Sequence, residues 1–150
     1  MRVLIDVNLY VAYLLNPHED SFIAFLLNAV FAGQVTLLMP EVLLEELERT
    51  VRRKPRLINI ISEKRLARLL ELLRLFGEEV PFIEEDIPPV TRDPKDDYLV
   101  AYAVIGKADY LISGDNDLLV LRRIGSVSMV SSGQFRQILR AYKTRNGHAN

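Results

Sequence analysis

The sequence predicts an α/β fold, a mostly parallel sheet covered by helices, and three observations predict it. Four short apolar runs at 2–5, 35–39, 108–113 and 127–130 have the length and composition of buried strands. The stretches between them repeat their apolar residues at helical spacing, so β and α alternate as they do when parallel strands are joined by helical crossovers. Helix-starting and chain-breaking residues fall at the junctions, among them Gly33, Pro40, the Asp93-Pro94 pair and Gly114.

Each element has a local reason. After the first strand, a helix over 8–15 is closed by Asn16-Pro17, because the residue before a proline is pushed out of the helical region. Asp20 or Ser21 caps a second helix reaching about Ala32, with Phe22, Phe25, Leu26 and Ala29 on its apolar face and Gly33 at its end. Strand 35–39 follows. Pro40 opens a third helix, 41–54, whose inner side carries Val42, Leu43, Leu44, Leu47 and Val51, and Pro55 ends it. A fourth helix, 62–76, has Leu66, Leu69, Leu70 and Leu73 as its stripe; with the third it forms a hairpin whose leucines pack internally or serve a partner. Segment 77–90 is acidic, holds three prolines, and leaves 80–83 as a short strand. Asp93 caps the next helix, with Pro94 at its first position and two acids in its first turn. Strand 108–113 then runs into Gly114-Asp115-Asn116-Asp117. A turn at Gly125, strand 127–130, a cap at Ser131 or Ser132 and a helix over 133–142 complete one domain, 1–142; residues 143–150 have little to hold them and read as a flexible tail.

Composition narrows the classes. With 49% hydrophobic and 26% charged residues the chain is globular, and its net charge of −1 gives no global bias toward nucleic acid. Every apolar stretch is interrupted before the roughly 18 residues that a bilayer span requires, and no basic-then-apolar leader opens the chain, so a cytoplasmic protein without a membrane partner is expected. The absence of Cys excludes disulfides, thiolate catalysis and Cys-based zinc sites, and two His leave little for imidazole chemistry. Charge is unevenly placed: nine of the 19 basic residues lie between positions 49 and 74. Such a segment can contact phosphates, with Arg49, Arg52 and Arg53 as the candidates; the same charges also suit solvated helix faces, with i,i+4 partners such as Glu45 with Arg49 and Glu48 with Arg52.

The chemistry gathers in carboxylates. Strand 2–5 ends in Asp6, followed by Val7-Asn8, and strand 108–113 ends in Ser113 just before Asp115 and Asp117. Ligand sites in open α/β sheets collect at the C-terminal strand ends, so neighbouring strands would aim both acids at one crevice. Asp96 heads the helical face that carries Leu99, Val100 and Ala103, an unusual place for a charge, and Glu46 borders the apolar face of the third helix. Carboxylates brought within about 4–6 Å raise one another's pKa unless a cation neutralises them. An oxygen-only donor set selects a hard ion, Mg²⁺ or Mn²⁺, which a phosphodiester substrate would share. The implied chemistry is metal-assisted phosphodiester hydrolysis, with Asn8 and Ser113 supporting the acids.

These motifs, D-x-N after the first strand, E-L-E-R in a helix, D-P-x-D-D heading another, and A-D-Y-L-I-S-G-D-x-D-L-L, resemble the PIN-domain nucleases over residues 2–140. Among them the chain is most similar to prokaryotic toxin components of toxin–antitoxin pairs, the VapC toxins. The resemblance implies a three-layer α/β/α sandwich around a mostly parallel sheet, catalytic acids at Asp6, Glu46, Asp96 and Asp115, and metal contacts from Asp6, Asp96, Asp115 and Asp117. Spacing alone admits Glu45 beside Glu46 and Asp97 beside Asp96; the family's Asp seven residues before a helical Ala, here Ala103, selects Asp96. It further implies a Mg²⁺- or Mn²⁺-dependent endoribonuclease leaving 5′-phosphate and 3′-hydroxyl ends, a homodimer, and an antitoxin whose peptide covers the acidic crevice. A non-cleaving RNA- or protein-binding module and a housekeeping RNA-processing nuclease are the competing readings. A haloacid-dehalogenase-type phosphatase would need Asp where Asn8 stands, and a response-regulator receiver lacks its strand-end Lys here.

Overall fold

Four of the short apolar runs become the parallel part of one sheet in the computed structural model, which describes residues 1–147. The strands are β1 (Arg2–Ile5), β2 (Thr36–Leu37), β3 (Tyr110–Ile112), β4 (Arg123–Ile124) and β5 (Val127–Val130), in the spatial order β2-β1-β3-β5-β4. All neighbours run parallel except β4, which returns antiparallel to β5 through a turn where Gly125 takes a φ of +58° that favours glycine. β1 and β3 are paired directly, with Ile5 opposite Ile112, and Ile112 in turn opposite Val130. The ladder continues one step further, as the Asp6 N–H donates to Ile112 O and the Ser113 N–H to Val130 O, both at 3.0 Å. Asp6 and Ser113 therefore leave the sheet side by side.

The helices are α1 (Val7–Leu15), α2 (Phe22–Phe31), α3 (Glu41–Arg53), α4 (Pro55–Ile58), α5 (Glu63–Phe76), α6 (Pro94–Ile105), α7 (Asn116–Leu119) and α8 (Ser132–Gly147). The chain steps from β1 to β2 in one direction and from β2 across β1 to β3 in the other. Right-handed crossovers then place the intervening helices on opposite faces, which gives the three layers and makes the β1–β3 crevice the switch point of the sheet. On one face Phe135 of α8 is fully buried, with its ring 6.2 Å from Phe22 of α2 and 5.7 Å from Tyr110 of β3. α6 packs on β1 and β3. The leucine stripe of α5, Leu66, Leu69, Leu70 and Leu73, is buried in the same core as Leu43, Leu44, Leu47 and Val51 of α3, so the hairpin packs internally.

Caps explain most helix starts. Ser21, Ser62 and Asp93 each accept a hydrogen bond from a first-turn N–H. Ser131 and Gln134 form a reciprocal capping box: the Gln134 N–H donates to Ser131 Oγ at 3.1 Å and the Ser131 N–H to Gln134 Oε1 at 2.8 Å.

Several boundaries depart from the sequence reading. The segment 80–83 is not a strand: Pro81 removes a donor, and only an isolated bridge between Leu38 and Glu78 forms, leaving Val80 and Ile83 as buried anchors. Pro55 does not merely stop α3 but stands at the first position of the extra turn α4. α8 continues past Tyr142 to Gly147, with the Lys143 ammonium 5.5 Å from the centre of the Phe25 ring; of the expected tail 143–150, the last three residues lie outside the described ones.

Candidate active site at the strand ends

Asp6 follows β1 and caps α1. Its Oδ1 accepts from the Asn8 N–H at 3.2 Å, and its Oδ2 accepts from Ser113 Oγ at 2.7 Å. The Ser113 hydroxyl, only 1% exposed, also accepts from the Asp115 N–H at 3.0 Å. One buried hydroxyl thus ties the end of β1 to the loop after β3. Asn8 supports Asp6 differently from expectation: its backbone N–H makes the contact while the residue itself is exposed, so the amide side chain has no part in it.

Asp115 caps the short helix α7, its Oδ1 accepting from the Asp117 N–H at 2.9 Å. This turn draws Asp117 back toward Asp115. Across the crevice Asp93 and Pro94 start α6, and its first turn carries two buried acids with separate tasks. Asp97 Oδ1 accepts from the Val90 and Thr91 N–H groups at 2.9 and 2.7 Å, and those donors hold its carboxyl below the usual range. Asp96 has no such donors. Its Oδ2 is closed off from solvent without a hydrogen-bond partner, and burial first, then Asp115, Asp93 and Asp6, push the carboxyl up to about 7. Ligand oxygens of Asp96, Asp115 and Asp117 lie within 4.8 Å of one another.

Asp6 and Glu46 stand outside that tight trio. Asp6 reaches it through Ser113 and through the repulsion it exerts on Asp96. Glu46, half-buried on α3, has its carboxyl raised chiefly by burial and further by Asp6 and Asp93, against the opposing pull of Lys95 and Arg49. Glu45 is exposed. Beside Glu46 opens a groove of about 500 Å³ lined by Arg49, Arg53, Lys95, Phe82 and Tyr98 among others. Arg52 is not in it. Its guanidinium bonds Glu48 at 3.1 Å and Glu63 at 2.5 Å, and it lines a different groove between α3 and α5. The sequence reading missed Lys95, Phe82 and Tyr98; the available signal was the i,i+3 spacing of Lys95 and Tyr98, which sets both on the exposed side of α6.

The donor set fits a hard divalent cation. Three carboxylates crowd one spot, one of their oxygens is buried and unpartnered, and neither His nor Cys competes. A cation bound there would favour the charged form of Asp96 that burial opposes.

Fold and site together define a class: an α/β domain whose strand-end carboxylates gather over the switch point of a mostly parallel sheet. Residues 2–117 match the family model of the PIN domain, and the chain belongs to that family, one of nucleases. Its structure is similar to that of a chain in the crystal structure of VapBC2 from Rickettsia felis bound to a DNA fragment from their promoter, with a TM-score of 0.57 and 16% identity over 87% of this chain and 98% of that one. No curated protein matches the sequence. No helix among the described residues is long and apolar enough to cross a membrane.

Proposed function

We propose that this protein is a Mg²⁺- or Mn²⁺-dependent endoribonuclease that acts as the toxin of a toxin–antitoxin pair. The observation that carries the reading is Asp96, which holds one buried oxygen without a partner and stands with a carboxylate oxygen within 4.8 Å of those of Asp115 and Asp117, a costly arrangement for carboxylates with nothing to neutralise them. Asp96, Asp115 and Asp117 would hold the cation, with Asp6 and Glu46 flanking it. When bound, the cation supplies electrostatic activation of the phosphodiester and of the attacking water. The protein's own groups do the rest. Ser113 keeps Asp6 and Asp115 in fixed relation, Asp6 and Glu46 orient the water and handle its proton, and Arg49, Arg53 and Lys95 draw the phosphate backbone past the acids. Water attacks phosphorus as the 3′ oxygen leaves, which gives 5′-phosphate and 3′-hydroxyl ends.

The toxin role, an antitoxin peptide covering the acidic crevice, a homodimer and a cytoplasmic setting belong to the same proposal, supported by PIN-family membership and by the motif resemblance to VapC toxins. The test is cleavage of a mixed single-stranded RNA pool with Mg²⁺, Mn²⁺ or EDTA, beside a folded Asp96→Asn variant. Cutting that requires metal and disappears in the variant is expected. No cutting by wild type that binds metal would overturn the enzyme reading in favour of a binding module. For the toxin role, equal growth on expressing wild type and Asp6→Asn would refute nuclease toxicity.

A further inference from the structure

The groove beside Glu46 has a chemistry that the hydrolytic acids do not account for. Two large aromatic side chains line it while remaining in water, Phe82 at 72% and Tyr98 at 46% exposure. Phe82 is held there. It lies between the buried anchors Val80 and Ile83, and the Ile83 N–H donates to Tyr102 Oη at 3.2 Å, so the backbone on both sides is pinned while the ring faces outward. Tyr98 stands one turn after Lys95 on α6, on the side away from Leu99 and Val100. Arg49 and Arg53 run along the facing stripe of α3, one and two turns beyond Glu46. Aromatic faces interleaved with cations are the surface that single-stranded nucleic acid uses: bases stack on the rings and phosphates meet the charges. A protein segment would bury the rings but has no systematic need of the cations.

We infer that this groove is a nucleobase subsite in which Phe82 and Tyr98 are stacking platforms for unpaired bases adjoining the scissile phosphate, with Arg49, Arg53 and Lys95 holding the neighbouring phosphates. The inference rests on the endoribonuclease reading and adds to it the residues that select single-stranded RNA. A duplex cannot present its base faces to the two rings, so pairing would exclude it. Stacking tolerates any base, and preference would follow stacking strength.

The chain has no tryptophan, so Tyr98→Trp supplies a single tryptophan in the groove whose emission can be excited apart from that of the tyrosines. Placed on an Asp115→Asn background that stops cutting, it is titrated with a short oligouridylate and with an abasic ribose-phosphate chain of equal length. The expected result is quenching by oligouridylate, binding about tenfold tighter than the abasic chain, and loss of most of that difference on adding Phe82→Ala. Arg49→Glu should weaken both chains alike. Equal binding of the two chains, or a difference that survives Phe82→Ala, overturns the inference and assigns the exposed rings to a protein contact. Cleavage of pooled RNA by the wild type is scored separately: cutting without base-dependent binding overturns this inference alone, and base-dependent binding without cutting in any metal overturns the nuclease reading alone.

Discussion

Asp96→Asn should stabilise the metal-free protein while destroying its activity. In the crevice Asp96 is raised from an ordinary 3.8 to about 7 by burial and by Asp115, so the folded state keeps a proton that the unfolded chain releases. The sign follows from linkage: folding becomes less favourable as pH climbs from about 4 through 7, and the penalty is complete above that range. Moving one carboxyl that far has a ceiling of ~4 kcal/mol. Burial is the largest cause, and the Asn amide meets part of that desolvation cost as well, which leaves about 2 kcal/mol to be relieved by neutralising Asp96. Asn keeps the shape and adds an N–H that can donate to Asp115. For a domain of this size the gain should read as a rise of about 4–8 °C in Tm at pH 8 in EDTA. At pH 5 the gain should shrink to less than half. Thermal melts followed by circular dichroism at both pH values test this, with Mn²⁺ added in parallel; Mn²⁺ should raise the Tm of the wild type and have little effect on the variant. A variant no more stable than wild type at pH 8, or one with the same advantage at pH 5, refutes the reasoning.

Ser113→Ala should lower kcat much more than it changes KM and destabilise the fold by about 2 kcal/mol, because the buried hydroxyl serves both Asp6 and the Asp115 backbone; Ser113→Thr should restore most of the activity, and steady-state kinetics with urea titration checks both. Phe135→Ala, which removes a fully buried ring wedged between Phe22 and Tyr110, should cost about 3–5 kcal/mol in urea unfolding; a loss below 1 kcal/mol would contradict the packing described. Arg2 pairs with Glu78 and holds its carboxyl below the ordinary value, so that contribution is present above about pH 4.5 and lost as pH falls; Glu78→Gln should flatten the acid limb of the stability curve and leave it unchanged in shape above pH 6. Charge reversal at Arg53 should reduce the salt dependence of RNA binding by about one phosphate contact, and reversal at Arg52, already tied to Glu48 and Glu63, should not.

The regular parts of the fold were legible where one local signal dominated. The strands are apolar runs ending at polar residues, and Ser21, Ser62 and Asp93 cap helices where their side chains permit. Asp96 was legible by contradiction, a charge on an apolar helical face. Its separation from Asp97 came from elsewhere, since it depends on two N–H groups at Val90 and Thr91 that no spacing records. The short helices α4 and α7 fall below the length at which periodicity can be read, and α7 is what brings Asp117 to Asp115. The outward ring of Phe82 is a tertiary fact, fixed by what anchors its neighbours. Arg52 shows the opposite case: its basic neighbourhood suggested phosphate, whereas its i,i+4 spacing from Glu48 already contained the structural outcome.

α6 acts as a splint between the crevice and the linker that leads to it. Tyr102 grips that linker at Ile83, Asp97 grips it at Val90 and Thr91, and Asp96, one residue away, supplies the acid. The joint makes the linker and the crevice one mechanical unit. A strain applied at Val90 would reach Asp96 from the adjacent residue Asp97, and one applied at Ile83 would reach it from Tyr102 through less than two turns of helix, so binding at the linker and occupancy of the acids would be felt by each other without any residue having to touch both.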